Sequence, residues 1–333
     1  MFFCFLIVLF FNIIFESESI AIDIEKKNEI NLYDGKWVRD SQLRKVDDSW
    51  KPMHMYDKCK EKWMGNHDDL SQYPYWKWET NSHEMQKFTN ENFCEIIKDR
   101  KGILFVGDSI TRLFSYTLTS MMKTELISKD IWSICNGNNQ IEFVRNDFLD
   151  TNSYFIGNKC KNSDGSFGVS AKCFEFFDHL ALYDTIIVNS GAHPRFSYEY
   201  GFEEYHMSMK LASARISSKM NMLHDNPILI ARNTVPGNWG CDENTFSAPK
   251  NITYALEMVQ KSPPSYRWTD FNVANEIFES VFSYDNWNIL DAYTPTILRA
   301  DSHIGSGDCL HYCIPGPADL WVEFLYNIIN VNL

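Results

Sequence analysis

Four short apolar runs constrain this chain more than any other feature: Ile103-Leu104-Phe105-Val106, Thr185-Ile186-Ile187-Val188, Ile228-Leu229-Ile230-Ala231 and Asn288-Ile289-Leu290. Runs of this kind read as buried strands of a mostly parallel sheet. Helical patterns lie between them. Ile110 to Lys123 follows the first run directly. In Glu203 to Leu223, the residues Tyr205, Met209, Ala212, Ile216, Met220 and Leu223 fall on one stripe. Phe271 to Phe282 is a further helix, and Pro317 opens a last one carrying Leu320, Trp321, Phe324, Leu325 and Ile328. Strands alternating with helices predict an α/β fold, a three-layer α/β/α sandwich around a mostly parallel central sheet. Sites in such folds lie at the carboxyl ends of the strands.

Gly107-Asp108-Ser109 follows the first run and precedes a helix. Gly107 permits a tight turn. Ser109 then stands at a helix N-terminus, where backbone N–H groups can stabilise a developing oxyanion. A serine hydroxyl needs a histidine base, and that base needs an orienting carboxylate. Asp308 and His311, three apart just before the last helix, supply both on a turn that lets the carboxylate reach the imidazole. Taken singly, the first motif also reads as an ordinary turn with a helix cap, and the second as a surface pair in a disulfide loop.

The chain has 333 residues, 44% of them hydrophobic and 15% aromatic, enough for a sizeable core. Its formal net charge of -13 would repel a phosphate backbone, which excludes nucleic acid as a partner. Met1 to Phe15 is almost wholly apolar but shorter than a membrane span, so residues 1–19 read as a signal peptide or a short signal anchor. Residues 20–50 are a polar stem, 51–98 an irregular Trp-rich segment wrapped on the catalytic unit, and 99–333 the catalytic domain. Of nine cysteines, eight follow the apolar leader, an even number that fits disulfides in an oxidising compartment. With Asn251-Ile252-Thr253 as an N-glycosylation acceptor, this predicts a secretory-pathway address, the Golgi lumen or outside the cell. The N-terminus offers a possible membrane association. No Cys-x-x-Cys pair or tight ligand cluster predicts a metal.

The order of the two motifs is that of the SGNH/GDSL hydrolases, and the residues around them are more specific. Val106-Gly107-Asp108-Ser109-Ile110-Thr111-Arg112 resembles the Gly-Asp-Ser block of the plant trichome-birefringence-like proteins in the wider PC-esterase family. Asp308-Cys309-Leu310-His311-Tyr312-Cys313-Ile314-Pro315-Gly316 is similar to that family's Asp-Cys-x-His-Trp-Cys-Leu-Pro-Gly block, with Tyr312 for Trp. Gly35-Lys36-Trp37-Val38, Tyr75-Trp76-Lys77-Trp78 and the Arg299, Asp301, His303 pattern agree with it. Asn189-Ser190-Gly191-Ala192-His193-Pro194 departs from the family's Asn-Thr-Gly-His-Trp-Trp, keeping only Asn189 and Gly191, which leaves substrate choice open.

The resemblance implies an acetyl-serine enzyme with the triad Ser109, Asp308 and His311. It needs no bound cofactor. An acetyl donor serves as co-substrate, and a glycan or polysaccharide hydroxyl is the acceptor. It also implies that Gly107, Asp108, Arg112, Asn189 and Gly191 serve the oxyanion or substrate, with Asn189 offering a side-chain hydrogen bond and Arg112 orienting Asp108 or the substrate. His193 and His303 read as structural, and Asp301 as support for the His311 loop. Trp76 and Trp78 pack in the core or stack on sugar. Cys241 would pair with Cys309. An esterase using the same triad, a silent glycan-binding module, and a metal hydrolase using His303, Asp308 and His311 are the competing readings.

Overall fold

The computed structural model describes residues 31–40, 59, 76–81, 84–151, 155–156, 159–160, 176–193, 202–241, 249–305 and 307–333. The leader, most of the polar stem and most of the Trp-rich segment, including Tyr75, lie outside them. In chain order come β1 (Gly35–Arg39), β2 (Trp76–Thr80), α1 (Asn90–Ile97), β3 (Gly102–Gly107), α2 (Ser109–Met121), β4 (Glu125–Ser128), β5 (Ile131–Ile134) and β6 (Asn139–Arg145). Two short strands follow, β7 (Phe155–Ile156) and β8 (Lys159–Cys160), then β9 (Thr185–Val188), α3 (Glu203–Leu223), β10 (Ile228–Arg232), α4 (Ile252–Gln260) and α5 (Phe271–Tyr284). The chain closes with β11 (Asn288–Leu290), α6 (Tyr293–Thr296), β12 (His303–Gly305), β13 (Asp308–Tyr312) and α7 (Pro317–Val331).

The central sheet has the order β11-β10-β9-β3-β6-β5-β4. Its first five strands run parallel, and β5 and β4 add an antiparallel edge. Alternate residues divide between two cores. Ile103, Phe105, Ile141 and Ile230 face Phe114 of α2 and Trp321 and Phe324 of α7. Leu104, Val106, Val188 and Ala231 face Met209 and Ile216 of α3 and Phe278 and Phe282 of α5. The result is the three-layer α/β/α sandwich expected from the apolar runs. At Leu223 the helical stripe ends, and that side chain is exposed.

The strand β6 was not legible as an apolar run, because Asn139, Gln140 and Glu142 interrupt it. Glu142 tolerates burial because its carboxylate pairs with His179 Nδ1 at 3.0 Å. The consequence is a sheet three strands wider on the β6 side than the four runs implied.

The Trp-rich segment contributes β2, which pairs antiparallel with β1 from the polar stem. Trp78 is buried, with its indole N–H donating to the Leu32 carbonyl at 3.1 Å. Trp37 meets Trp78 edge to face and donates to the Pro295 carbonyl at 2.8 Å. Residues 31–40 are thus folded onto the sandwich, and Trp78 serves packing, not sugar stacking.

Candidate active site

The Ser109 position is built by the exit of β3. Strand β3 is buried throughout, and the chain turns into α2 at Asp108. The Asp108 Oδ1 accepts from the backbone N–H of Ile110 at 2.9 Å and of Thr111 at 3.1 Å, capping the helix. This cap leaves the Ser109 N–H, one residue earlier, out of the bond. A Cβ at Gly107 would run into Thr111 Oγ1 and lie 3.0 Å from the Asn189 carbonyl, so the turn admits only glycine. The neighbouring strand exits are tied to β3: Asn146 N–H donates to the Gly107 carbonyl and Asn189 N–H to the Val106 carbonyl, each at 3.0 Å.

The histidine comes from the β12–β13 hairpin. His311 Nε2 lies 2.7 Å from Ser109 Oγ, across 202 residues of sequence. On its other side, His311 Nδ1 is 3.0 Å from Asp308 Oδ2 and 3.1 Å from Oδ1. A carboxylate can only accept, so Nδ1 carries the ring proton and Nε2 is left to accept from the serine hydroxyl; this tautomer is assigned from the network. The Asp308 Oδ1 also accepts from the backbone N–H of His311 at 3.1 Å and of Leu310 at 3.3 Å. Burial pushes the Asp308 carboxyl upward. The bonds to the His311 ring, its charge and the two backbone N–H groups outweigh that and hold it well below the usual carboxylate range.

Rigid supports surround this loop. Disulfides join Cys241 to Cys309 and Cys59 to Cys313, one on each side of His311, while Cys94 joins Cys135 elsewhere. Asn238 N–H donates to the Cys309 carbonyl at 2.9 Å, and Tyr312 Oη to the Pro236 carbonyl at 2.7 Å. The Arg299 guanidinium grips Asp301 through two bonds of 3.0 and 3.1 Å and donates to Ser302 Oγ at 2.6 Å. Cys313 N–H then donates to the Ser302 carbonyl at 2.9 Å. His303 packs on the Tyr312 ring with its Nδ1 3.3 Å from the His311 carbonyl. Asp301 and His303 therefore hold the loop from behind. His303 spends its Nδ1 on that carbonyl, and among the described residues no group of three His, Cys, Asp or Glu side chains is placed to hold a metal ion.

Two expected site residues are placed differently. Arg112 turns away from Asp108: its Nε and Nη2 both bond Asp130 Oδ1, at 3.0 and 2.8 Å, and its guanidinium lies 5.0 Å over the Tyr116 ring. Helical spacing carries residue 112 off the strand exit to the flank beside the β4–β5 connection. Asn189 is fully buried, and its amide donates to the Arg232 carbonyl at 2.8 Å and to Thr234 Oγ1 at 3.0 Å. Both amide hydrogens are used inside the fold, so the side chain ties β9 to β10 and is not left to face an oxyanion. Gly191 has φ of +130°, and a Cβ there would lie 3.0 Å from Thr234 Oγ1. Its role is close backbone passage. His193 has a buried Nε2 with no hydrogen-bond partner.

The sequence reading missed Arg232 and the Arg145–Asp147 pair, all at strand exits. Arg232 is fully buried, with Nη2 donating to Thr111 Oγ1 at 3.1 Å and Nη1 to the Asn233 carbonyl at 2.8 Å. Arg145 sits beside Gly107 in the register and clasps Asp147 at 2.5 and 3.0 Å. Burial raises the Asp147 carboxyl, against the pull of Arg145. A signal existed for Arg232, a lone charge at the end of an apolar run; the Arg145–Asp147 pair follows a strand that was not itself legible.

A serine, a histidine and an aspartate thus meet at the carboxyl edge of the parallel sheet. Residues 264–328 match the PC-Esterase model, described as a GDSL/SGNH-like acyl-esterase family found in Pmr5 and Cas1p. The chain is 24% identical to trichome berefringence-like 7 of Arabidopsis thaliana, over 89% of this chain and 72% of that one. It is 22% identical to xyloglucan O-acetyltransferase 3 of Populus trichocarpa, over 94% of this chain and 89% of that one. It is likewise 22% identical to xylan O-acetyltransferase 12 of Oryza sativa subsp. japonica, over 93% of this chain and 72% of that one. On these matches the chain is similar to members of the PC-esterase family along most of its length, at low identity.

Proposed function

We propose that this protein is a polysaccharide O-acetyltransferase that works through an acetyl-Ser109 intermediate. The observation that carries the reading is the unbroken relay from Asp308 through His311 to Ser109, with 3.0 Å and 2.7 Å steps. His311 Nε2 takes the Ser109 proton as Oγ attacks the carbonyl carbon of an acetyl donor. Asp308, held as the anion, supports the imidazolium. The Ser109 N–H, at the positive end of α2, donates to the developing oxyanion. The donor's leaving group departs with the proton from His311, leaving an ester on Oγ. An acceptor hydroxyl then gives its proton to His311 and attacks that ester, so the acetyl group passes to the sugar and Ser109 is restored. The names of the aligned relatives, which specify xylan and xyloglucan acetylation, support a glycan acceptor.

We place the protein in the lumen of the secretory pathway. Three disulfides among the described residues support an oxidising compartment. Asn251 is exposed and caps α4 through its side-chain oxygen, so a glycan on its nitrogen leaves the cap in place.

Incubation with a labelled acetyl ester and neutral polysaccharides tests the reaction. Label on the sugar is the expected result, together with an acetylated Ser109 peptide in the absence of acceptor. Substitution Ser109→Ala should remove at least about 10,000-fold of turnover while the protein stays folded. Free acetate alone, whatever the acceptor, would make the protein an esterase.

A further inference from the structure

We propose that Trp239 and Tyr266 form a stacking subsite for a neutral pyranose ring of the acceptor chain, on the rim of the catalytic loop. This rests on the reading of the protein as a glycan acetyltransferase and assigns the surface that would hold the acceptor.

Large aromatic side chains are normally covered, and Trp239 and Tyr266 are 41% and 45% exposed. They are not isolated. Tyr266 stacks on Trp268 with ring centroids 4.8 Å apart and planes 17° from parallel, and Trp239 stands 6.1 Å from Tyr266. Trp268 is itself buried, and its indole fills the space a side chain at residue 237 would need. The same indole belongs to a small cluster with Val259 and Phe271, against which Ala192, Cys309 and Leu310 pack. The three rings therefore run from the residue before His311 out to solvent.

The ladder is also held to the site covalently. Trp239 lies two residues before Cys241, which is cross-linked to Cys309, and Asn238 is bonded to the Cys309 carbonyl. A platform on this loop keeps its distance from His311. Two adjacent, partly exposed aromatic side chains suit a ligand with an apolar face and a hydroxylated edge. A pyranose has both: its axial C–H groups lie on the ring while its hydroxyls stay hydrated. The net charge of -13 argues against an anionic ligand on the same surface.

Calorimetric titration of the full chain with unacetylated xylan and xyloglucan oligosaccharides tests the subsite. Trp239→Ala and Tyr266→Ala should each weaken binding about tenfold. Trp239→Phe, which keeps a ring, should recover most of the loss. The 86% exposed Tyr284, at the far end of α5, supplies the control, and Tyr284→Ala should bind as the unaltered chain does. Circular dichroism on each variant separates lost binding from lost folding. Unaltered affinity in folded Trp239→Ala and Tyr266→Ala proteins would overturn the proposal, as would failure of the unaltered chain to bind any oligosaccharide. A chain that binds through these rings but releases only acetate keeps the subsite and removes the transferase reading.

Discussion

Arg232 and Asp108 lie buried together beside Ser109, with Arg232 Nη2 4.0 Å from Asp108 Oδ1 and neither side chain reaching solvent. They sit at the ends of two different strands, β10 and β3, with β9 between them. Burial pulls the Arg232 guanidinium down to about 10, against the opposing effect of Asp108, and it remains charged at neutral pH. Removing the cation strands the carboxylate. Arg232→Met should destabilise the protein by about 3–5 kcal/mol, read as a lower urea midpoint. Pairing it with Asp108→Asn, which keeps the helix cap, should restore part of that loss. An additive double variant would show that the two groups do not interact.

The Asp308 carboxylate is predicted to matter for rate more than for fold. Asp308→Asn keeps the shape but offers His311 an N–H where it needs an acceptor, so kcat should fall on the order of 10,000-fold. The pH dependence follows from the depressed folded-state value. The stabilisation is complete above the unfolded carboxylate value of about 4 and is lost as pH falls through the lower folded value. The Tm gap between the unaltered chain and Asp308→Asn should therefore shrink as pH is lowered below about 4. A gap that widens there would contradict the assignment.

Cys241 and Cys309 are 68 residues apart and tie the strand that carries His311 to the segment after β10. Replacing both with serine should cost about 2–4 kcal/mol of stability through the freed unfolded chain. It should lower kcat as well, because His311 loses one of its two flanking restraints. Thermal melts and steady-state rates on the same preparation separate the effects; unchanged kcat in a less stable protein would show that the remaining restraints suffice.

Arg112 offers the opposite expectation. Its bonds go to Asp130 on the flank of α2, with its side chain 39% exposed. Arg112→Ala should alter stability by less than about 1 kcal/mol and leave turnover within a few-fold. A large loss of kcat at unchanged stability would return Arg112 to the substrate.

The sheet core was readable because continuous apolar runs have one stable use, burial on both faces, and the helix stripes gave the covering layers. The Gly-Asp-Ser exit and the Asp308-x-x-His311 spacing were readable for a related reason: each is local and set within four residues, although the second lies on strand β13 and not on a turn. Strand β6 escaped because a buried Glu142 is affordable only with His179 beside it, and that pairing spans 37 residues. Arg112 and Asn189 were misplaced for the same cause. Their direction depends on Asp130, Arg232 and Thr234, which sequence proximity does not assign to them.

Local chemistry along the chain therefore dictated which segments become strands, which turn can present a hydroxyl, and which short loop can orient an imidazole. Folding alone settled that the hydroxyl and the imidazole share a proton, that Asn189 looks inward, and that Trp239 stands in solvent while Trp78 does not. The reason is physical: periodicity and turn preference act over a few residues, whereas hydrogen bonds, burial and charge pairing act between whatever the packed layers bring within a few ångströms.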